Sequence, residues 1–428
     1  MKISTDALAV ALARETSSGA VSTDPAMLDR SSVDGQAPAV LCQVFGAEEI
    51  SAVLRVCAEA GAAVVPWGGG TLMSLGNIPK RVDAVLKLDK LARLVEHDDA
   101  NLTATVEAGM TAAAFQGVLA ERRQFLPVDP PRPNDATLGG LAAANINGPR
   151  RALYGGMRDL VIGMKMVLAT GEQVKTGGKV VKNVAGYDLA KLFIGSLGTL
   201  GVITELTFRV SPLPEVAASF VATGALERCL DFAKMISNSA LLPSALVIAG
   251  AADKDACRAI AWIEGFEEAV ARHLRDLTDA AGRARIEAGV LRDGAHDSLW
   301  QELSGFGWGG DDLFCRLTVP IASIERVVSQ IASQGAAGRR AQYAAYYGTG
   351  AIWVLLEPTT GGLERYRELA ASARECRGHA IVASAPGGLK QKLDVWGEAP
   401  PTLALMRRIK QQFDPHGILS PGRFVQRL

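Results

Sequence analysis

Residues Ala60–Thr71, AGAAVVPWGGGT, place small and β-branched residues directly before three glycines. A short apolar run bounded in this way reads as a buried strand, so the strand ends where the glycines begin. The overlapping stretch Pro66–Asn77 holds four glycines and no charged residue, which marks a place where backbone comes close to something. Glycine permits positive φ and lets N–H groups reach phosphate oxygens with no Cβ in the way. Gly68, Gly69 and Gly70 can therefore form an anion-binding nest, with the Thr71 hydroxyl as a further donor; a plain tight turn is the alternative.

Outward from this loop, between about Val40 and Val210, short apolar strands (AVVPW, AVLKL, TATVEAG, VIGMKMVLATG, VITELTFRV) alternate with helical stretches such as EEISAVLRVCAEAG and MTAAAFQGVLAERR. The pattern is α+β or α/β. SPLPEV, Ser211–Val216, reads as a proline-punctuated linker. Beyond it, to about Ala385, alanine-rich helices alternate with the strands SALVIAGA, LFCRLTVP and AIWVLLEP, a second α+β region. The tail PTLALMRRIKQQFDPHGILSPGRF is an amphipathic helix stopped by Pro415 and followed by turns.

Composition narrows the function classes. The chain has 428 residues, 48% hydrophobic and 21% charged, with 45 basic and 45 acidic side chains. That balance gives no global field to draw it to nucleic acid or an anionic membrane. The cysteines at 42, 57, 229, 257, 315 and 376 form no CxxC pair for zinc, a redox disulfide or an iron–sulfur cluster, so no metal site is expected. Reduced thiols imply a cytoplasmic protein. The N-terminal MKISTDALAVALARE reads as a first helix rather than a signal peptide.

Three more glycine-bearing segments lie in the same half: VEAGM (106–110), DATLGGLAAANINGPRR (135–151) and GKVVKNVAGYDLAKLFIGSLGTLGVITE (178–205). Asp135 or Thr137 can cap a helix starting near Leu138, whose free N–H groups suit a pyrophosphate. A nicotinamide Rossmann site is disfavoured. The glycines of GSLGTLG, at 195, 198 and 201, miss the G-x-G-x-x-G spacing and precede a strand instead of a helix. No GxxxxGK[ST] P-loop occurs.

KNVAGYDLAKLFIGSLGTLGVITE, PWGGGT, PPRPNDATLGGLAAANINGPRRALYGGMRD and the terminal FDPHGILSPGRF together resemble flavoproteins of the p-cresol methylhydroxylase and vanillyl-alcohol oxidase fold. Among these the chain is most similar to the FAD-binding subunits of bacterial glycolate oxidase (glycolate dehydrogenase). The resemblance spans nearly the whole chain. It implies an N-terminal segment (1–37), a two-subdomain FAD-binding domain of the p-cresol methylhydroxylase type (38–212), an α+β cap on the substrate side (213–385), and a C-terminal helix and tail (386–428) returning to the flavin domain. It assigns Gly68–Thr71 to the pyrophosphate loop and Pro130, Thr137, Gly139, Gly140 and Ala144 to a second FAD-facing segment. Gly148 and Arg150 would lie near the flavin, and Gly198, Gly201, Val202 and Ile203 along the adenosine and pyrophosphate side. Lys182 joins the cofactor set as a cation beside FAD phosphate or flavin oxygen.

The departures also count. Leu197 stands where most relatives have Glu, and no His lies in or beside the glycine loop, so FAD is expected to be held noncovalently. The glutamate-histidine-glycine motif of catalytic D-2-hydroxy-acid dehydrogenases of this fold is absent. Of the five histidines, 97, 273 and 296 read as solvated, and His379 and His416 are the weak catalytic candidates. The implied function is an FAD redox subunit passing electrons from a small 2-hydroxy acid, glycolate or D-lactate, to an iron–sulfur subunit. A larger flavin-containing catalytic subunit would complete the complex, with any inner-membrane contact made through those partners. A non-catalytic assembly subunit with weak or no FAD and a self-sufficient 2-hydroxy-acid oxidase are the alternatives. Gly69→Asp is expected to abolish FAD retention, whereas His379→Ala and His416→Ala should spare it.

Overall fold

The structure, a computed structural model, describes residues 4–178, 187–254, 256–333 and 341–428. Three main sheets follow one another along the chain. The first contains β1 (Val21–Ser22), β2 (Val40–Gln43), β3 (Val64–Trp67) and β4 (Ala84–Lys87), in the order β1-β2-β4-β3. Strands β2, β3 and β4 are parallel, which requires a crossover, and the helix between β2 and β3 supplies it. Helix α1 (Thr5–Glu15) and α2 (Pro25–Arg30) precede that crossover; α3 itself is Ala47–Ala60. Its buried stripe includes Ile50, Val53, Leu54 and Cys57 at helical spacing, its first turn carries Glu48 and Glu49, and it stops at Gly61 with φ 60°.

The second sheet is antiparallel. It contains β5 (Leu94–Asp98) and β6 (Thr103–Glu107), then, beyond the short β7 (Gln124–Phe125), β8 (Val161–Val167), β9 (Gln173–Gly177) and β10 (Val202–Arg209), in the order β5-β6-β10-β8-β9. Helices α4 (Ala112–Ala120), α5 (Leu138–Ala144) and α6 (Arg151–Tyr154) lie in the connection from β6 to β8. His97, read as part of a solvated turn, sits on β5, and its Nε2 is 2.9 Å from Gln124 Oε1. The SPLPEV linker is partly strand: β11 (Ser211–Pro212) pairs with β7.

The third sheet has eight antiparallel strands, β12 (Val216–Gly224), β13 (Ala245–Ala251), β14 (Cys257–Gly265), β15 (Glu287–Arg292), β16 (Leu313–Thr318), β17 (Ala341–Tyr346), β18 (Ala351–Leu356) and β19 (His379–Ser384). Side chains alternate between its faces. Leu313, Cys315, Leu317, Ile352 and Val354 join one core with the helices Leu226–Ser237, Glu267–Ala284, Ile324–Ser333 and Thr360–Glu375. Phe314, Trp353, Ile381 and Trp262 point the other way and share a core with Leu138, Leu141, Phe193 and Ile203. The third sheet thus lies on the half of the chain that carries the glycine segments.

The C-terminus returns to the first sheet. After the helix Leu403–Phe413, Val64 N–H donates to Ile418 O and Ser420 N–H donates to Val64 O, both at 2.8 Å. The partly buried Lys410 ammonium donates to Thr199 O at 2.7 Å and Leu419 O at 2.9 Å, tying that helix to the 195–201 glycine segment. No described helix is long and apolar enough to cross a membrane.

Candidate functional site

A cleft opens where β3 ends, between the 68–73 loop, α5 and the 197–203 segment. Counting its open mouth, it encloses about 780 Å³. Its lining includes Gly68, Gly69, Gly70, Thr71, Thr137, Gly139, Gly140, Ala144, Gly198, Gly201 and Ile203, so most of the residues expected to face a dinucleotide come together in one place. Leu72, Met73, Leu88, Ala108 and Ala143 supply apolar wall that the glycine motifs did not mark. Among the described residues no acidic side chain lines the cleft, and Leu197 occupies a lining position.

The glycine loop is built by contact with the second segment. A Cβ on Gly69 would sit 1.7 Å from Asp135 O, and one on Gly68 would sit 2.1 Å from Thr137 Oγ1. Gly70 takes φ +73°, with the Trp67 ring against it. These glycines let two stretches of protein pack, so Gly69→Asp would damage the fold as well as a ligand site. The loop amides are left over: among the described residues, the N–H groups of Gly68, Gly69, Gly70 and Thr71 donate no hydrogen bond within the protein. Gly69 is exposed, but Gly68, Gly70 and Thr71 are half-buried, and half-buried N–H groups normally find partners. A row of them beside an acid-free cleft is a donor set for an anion.

Helix α5 differs from its sequence reading. Thr137 does cap it, accepting from Gly140 N–H at 3.3 Å. Yet Leu138 N–H already donates to Met110 O at 2.9 Å and Gly139 N–H to Ala108 O at 2.7 Å, so its first turn is not a free donor set. Four other expected residues do not line the cleft. Val202 alternates with Gly201 and Ile203 and is buried in the core of the first sheet, as a strand requires. Pro130 and Gly148 lie at the Asp129 turn, where a Cβ on Gly148 would meet the Asp129 side chain at 2.3 Å. Arg150 is committed to that turn as well.

The Arg150 guanidinium donates to Asp129 Oδ1 at 2.8 Å from Nε and 2.5 Å from Nη2, and reaches Glu264 Oε2 at 3.5 Å. It stacks 4.2 Å over Trp262 and 5.0 Å over Phe125. Burial alone would lower its pKa, but Asp129 and then Glu264 hold it above the usual arginine value. Tyr154 O–H donates to Glu264 at 2.9 Å, and burial followed by the Glu264 charge pushes the phenol up. Arg150 thereby rivets α6 to β14 of the third sheet and offers no open charge to the cleft. Lys182 lies outside the described residues.

The histidines separate clearly. His416 is exposed in the turn after the C-terminal helix and does not line the cleft. His379 opens the edge strand β19 and is solvent-exposed. His296, read as surface, is 3% exposed on the helix Asp293–Gly305. Trp300 Nε1 donates to Ser219 Oγ at 2.8 Å, which leaves the serine proton for His296 Nδ1, also at 2.8 Å. Burial lowers the His296 pKa, so the ring is a satisfied neutral core group. All six cysteines are unpaired, and no metal-binding cluster occurs among the described residues.

One buried charge cluster braces the cleft from behind. Lys390 Nζ lies 2.7 Å from both Asp34 carboxylate oxygens and donates to Ser74 O at 2.9 Å. Arg423, a lining residue, donates to Met73 O at 2.7 Å and to Leu75 O, and lies 3.4 Å from Asp34. Burial lowers the Lys390 pKa to about 8, against the pull of Asp34. An unfolded lysine, near 10.5, therefore holds a proton that the folded one has lost between those values, and this group favours folding increasingly as pH rises through that window. Lys390→Met should flatten that rise, read as the wild-type-minus-variant difference in chemical-denaturation stability from pH 7.5 to 10.5; an unchanged difference would contradict the shift.

The FAD binding domain pattern matches residues 38–177, and that of the C-terminal domain of FAD linked oxidases matches residues 388–424. The glycolate oxidase subunit GlcE of Escherichia coli is 31% identical over 343 residues, covering 78% of this chain and 85% of that one. The chain belongs to the FAD-linked oxidase family. This FAD-linked oxidase chain is also 40% identical over 175 residues to the glycolate oxidase subunit GlcD of Bacillus subtilis, which is 41% of this chain but only 37% of that protein's length. The crystal structure of p-cresol methylhydroxylase with substrate bound superimposes with a TM-score of 0.75 at 17% identity, covering 98% of this chain and 96% of that one, a likeness of fold. The family's cofactor is FAD, and its chemistry is oxidoreduction.

Proposed function

We propose that this chain is the FAD-bearing redox subunit of a glycolate- or D-lactate-type 2-hydroxy-acid oxidase, with residues 38–212 as its flavin domain and 213–385 as its cap. The observation that carries the reading is the row of unengaged amides at Gly68–Thr71 beside a cleft without acidic side chains. Those amides and the Thr71 hydroxyl would hold the FAD diphosphate, while Val65, Leu72, Met73, Ala143 and Ile203 give the flat apolar surface that the ring systems need. Thr137, Gly139, Gly140, Ala144, Gly198 and Gly201 complete the wall, and Lys182 stays in the proposed set. Among the described residues no His or Cys lines the cleft, which favours noncovalent attachment.

Bound FAD supplies the two-electron acceptor for oxidation of an alcohol to a ketone or aldehyde. The chain's own part is to orient the cofactor, exclude water with its apolar wall, and present the cap sheet to the reacting side. A larger flavin subunit and an iron–sulfur subunit are the proposed partners; GlcE and GlcD are named as subunits. The test is anaerobic mixing of the FAD-loaded chain with glycolate and with D-lactate, alone and with the two partners, following loss of the visible absorbance of the oxidised flavin. Bleaching in the complex supports the reading. A folded chain that takes up no FAD would make it an assembly subunit, and peroxide formation by the chain alone when the same mixture is repeated in air, with O₂ as the oxidant, would make it a self-sufficient oxidase.

A further inference from the structure

The third sheet carries a cation that nothing described neutralises. Arg316 sits on β16 between Cys315 and Leu317, whose side chains join the helix-covered core, so alternation turns Arg316 with Phe314 toward the glycine-bearing half. Its guanidinium lies 5.6 Å from the Trp353 ring centroid, and its Nε is buried without a hydrogen-bond partner. It makes no ion pair with any described residue. Burial, and then the charge of Arg151, lower its pKa to about 10.

Arg151 and His379, on other elements, lie within electrostatic reach of it. Arg151 opens α6 and is exposed, with no ion pair among the described residues. His379 on β19 pairs with Thr318, two residues along β16 from the Arg316–Ile381 pair, and so shares the face of Arg316. His379 is exposed by surface area, yet partial desolvation of its ring and then the Arg316 charge lower its pKa. Three elements thus bring together two cations and a ring nitrogen with no carboxylate described among them. The nearby Arg150, by contrast, has both Asp129 and Glu264.

A partly buried guanidinium with no counter-charge and a buried, unpartnered Nε is destabilising, and a fold that keeps one presents it to an incoming anion. We infer that Arg316, flanked by Arg151 and His379, receives the carboxylate of the substrate acid, an inference that rests on the 2-hydroxy-acid oxidation proposed above. The planar guanidinium edge, with its Nε–H unengaged, matches the two oxygens of a carboxylate, and the Trp353 face holds its plane.

The test uses the full chain loaded with FAD, measuring affinity by calorimetry and melting temperature with glycolate, D-lactate, neutral glycolamide and inorganic phosphate. The wild type should bind the two acids and discriminate against glycolamide and phosphate. Arg316→Met should keep its FAD and melt, without ligand, at the wild-type temperature or higher, because an unanswered charge is gone. Its affinity for the acids should fall roughly tenfold to a hundredfold, the value of a charged hydrogen-bonded contact, and Arg316→Lys should recover part of it. Arg316→Met binding the acids as tightly as wild type, or a wild type that ignores the charge of the ligand or prefers phosphate, would overturn the inference. A wild type holding FAD but binding no acid would also overturn it and leave the flavin site standing; a wild type without FAD would remove the underlying reading first.

Discussion

Thr71→Asp is expected to leave the chain folded and nearly free of FAD. The Thr71 side chain is half-buried, lines the cleft and makes no hydrogen bond within the described protein, so little native structure depends on it. An aspartate there puts a carboxylate among the free amides of Gly68–Thr71, where it both competes for the donors and repels a diphosphate. Each charged hydrogen bond displaced is worth about 1.5–3 kcal/mol, so FAD affinity should drop by at least about tenfold. Thr71→Val, which removes only the hydroxyl, should cost less. This is a cleaner probe than Gly69→Asp, whose Cβ would strike Asp135 O before its charge mattered. Equal melting temperatures with full flavin in Thr71→Asp would remove the loop from the site.

The second large effect belongs to Asp34. It is the carboxylate between Lys390, whose side chain is fully buried, and Arg423, whose side chain is 3% exposed. Asp34→Asn preserves the shape, and asparagine tolerates the φ of 50° at this position, but two buried cations lose their counter-charge. Removing one partner of a buried pair costs about 3–5 kcal/mol, which should show as a marked fall in denaturant midpoint. FAD retention should weaken with it, since the same cations hold the carbonyls of Met73, Ser74 and Leu75 behind the glycine loop. Adding Lys390→Met to Asp34→Asn should restore part of the stability. A loss below about 1 kcal/mol in the single variant would show that the backbone carbonyls alone satisfy the cations.

Local signals in the sequence carried the strands and helices near the site. The apolar run before Gly68 is β3, the Thr137 cap starts α5, and Asp414-Pro415 ends the last helix. Long-range partners were not legible. The first N–H groups of α5 are consumed by carbonyls of Ala108 and Met110, some thirty residues earlier. Arg150 looked like a cofactor cation because its second acid, Glu264, lies on a strand of the third sheet. Two placements had visible signals: period-two alternation already turned the Val202 side chain away from that of Ile203, and the spacing of His296, Leu299, Trp300 and Leu303 is a buried helical stripe. Arg316 inside LFCRLT was a charge in an apolar strand, but only the packing of the two halves gives its face meaning.

The most direct test of the account is the visible spectrum of the purified chain, with flavin quantified after denaturation. Equimolar FAD, released into solution and lost in Thr71→Asp, is the predicted result. A folded wild-type chain without flavin, or one whose flavin stays attached to the denatured protein, would contradict a noncovalent site built on the amides of Gly68–Thr71.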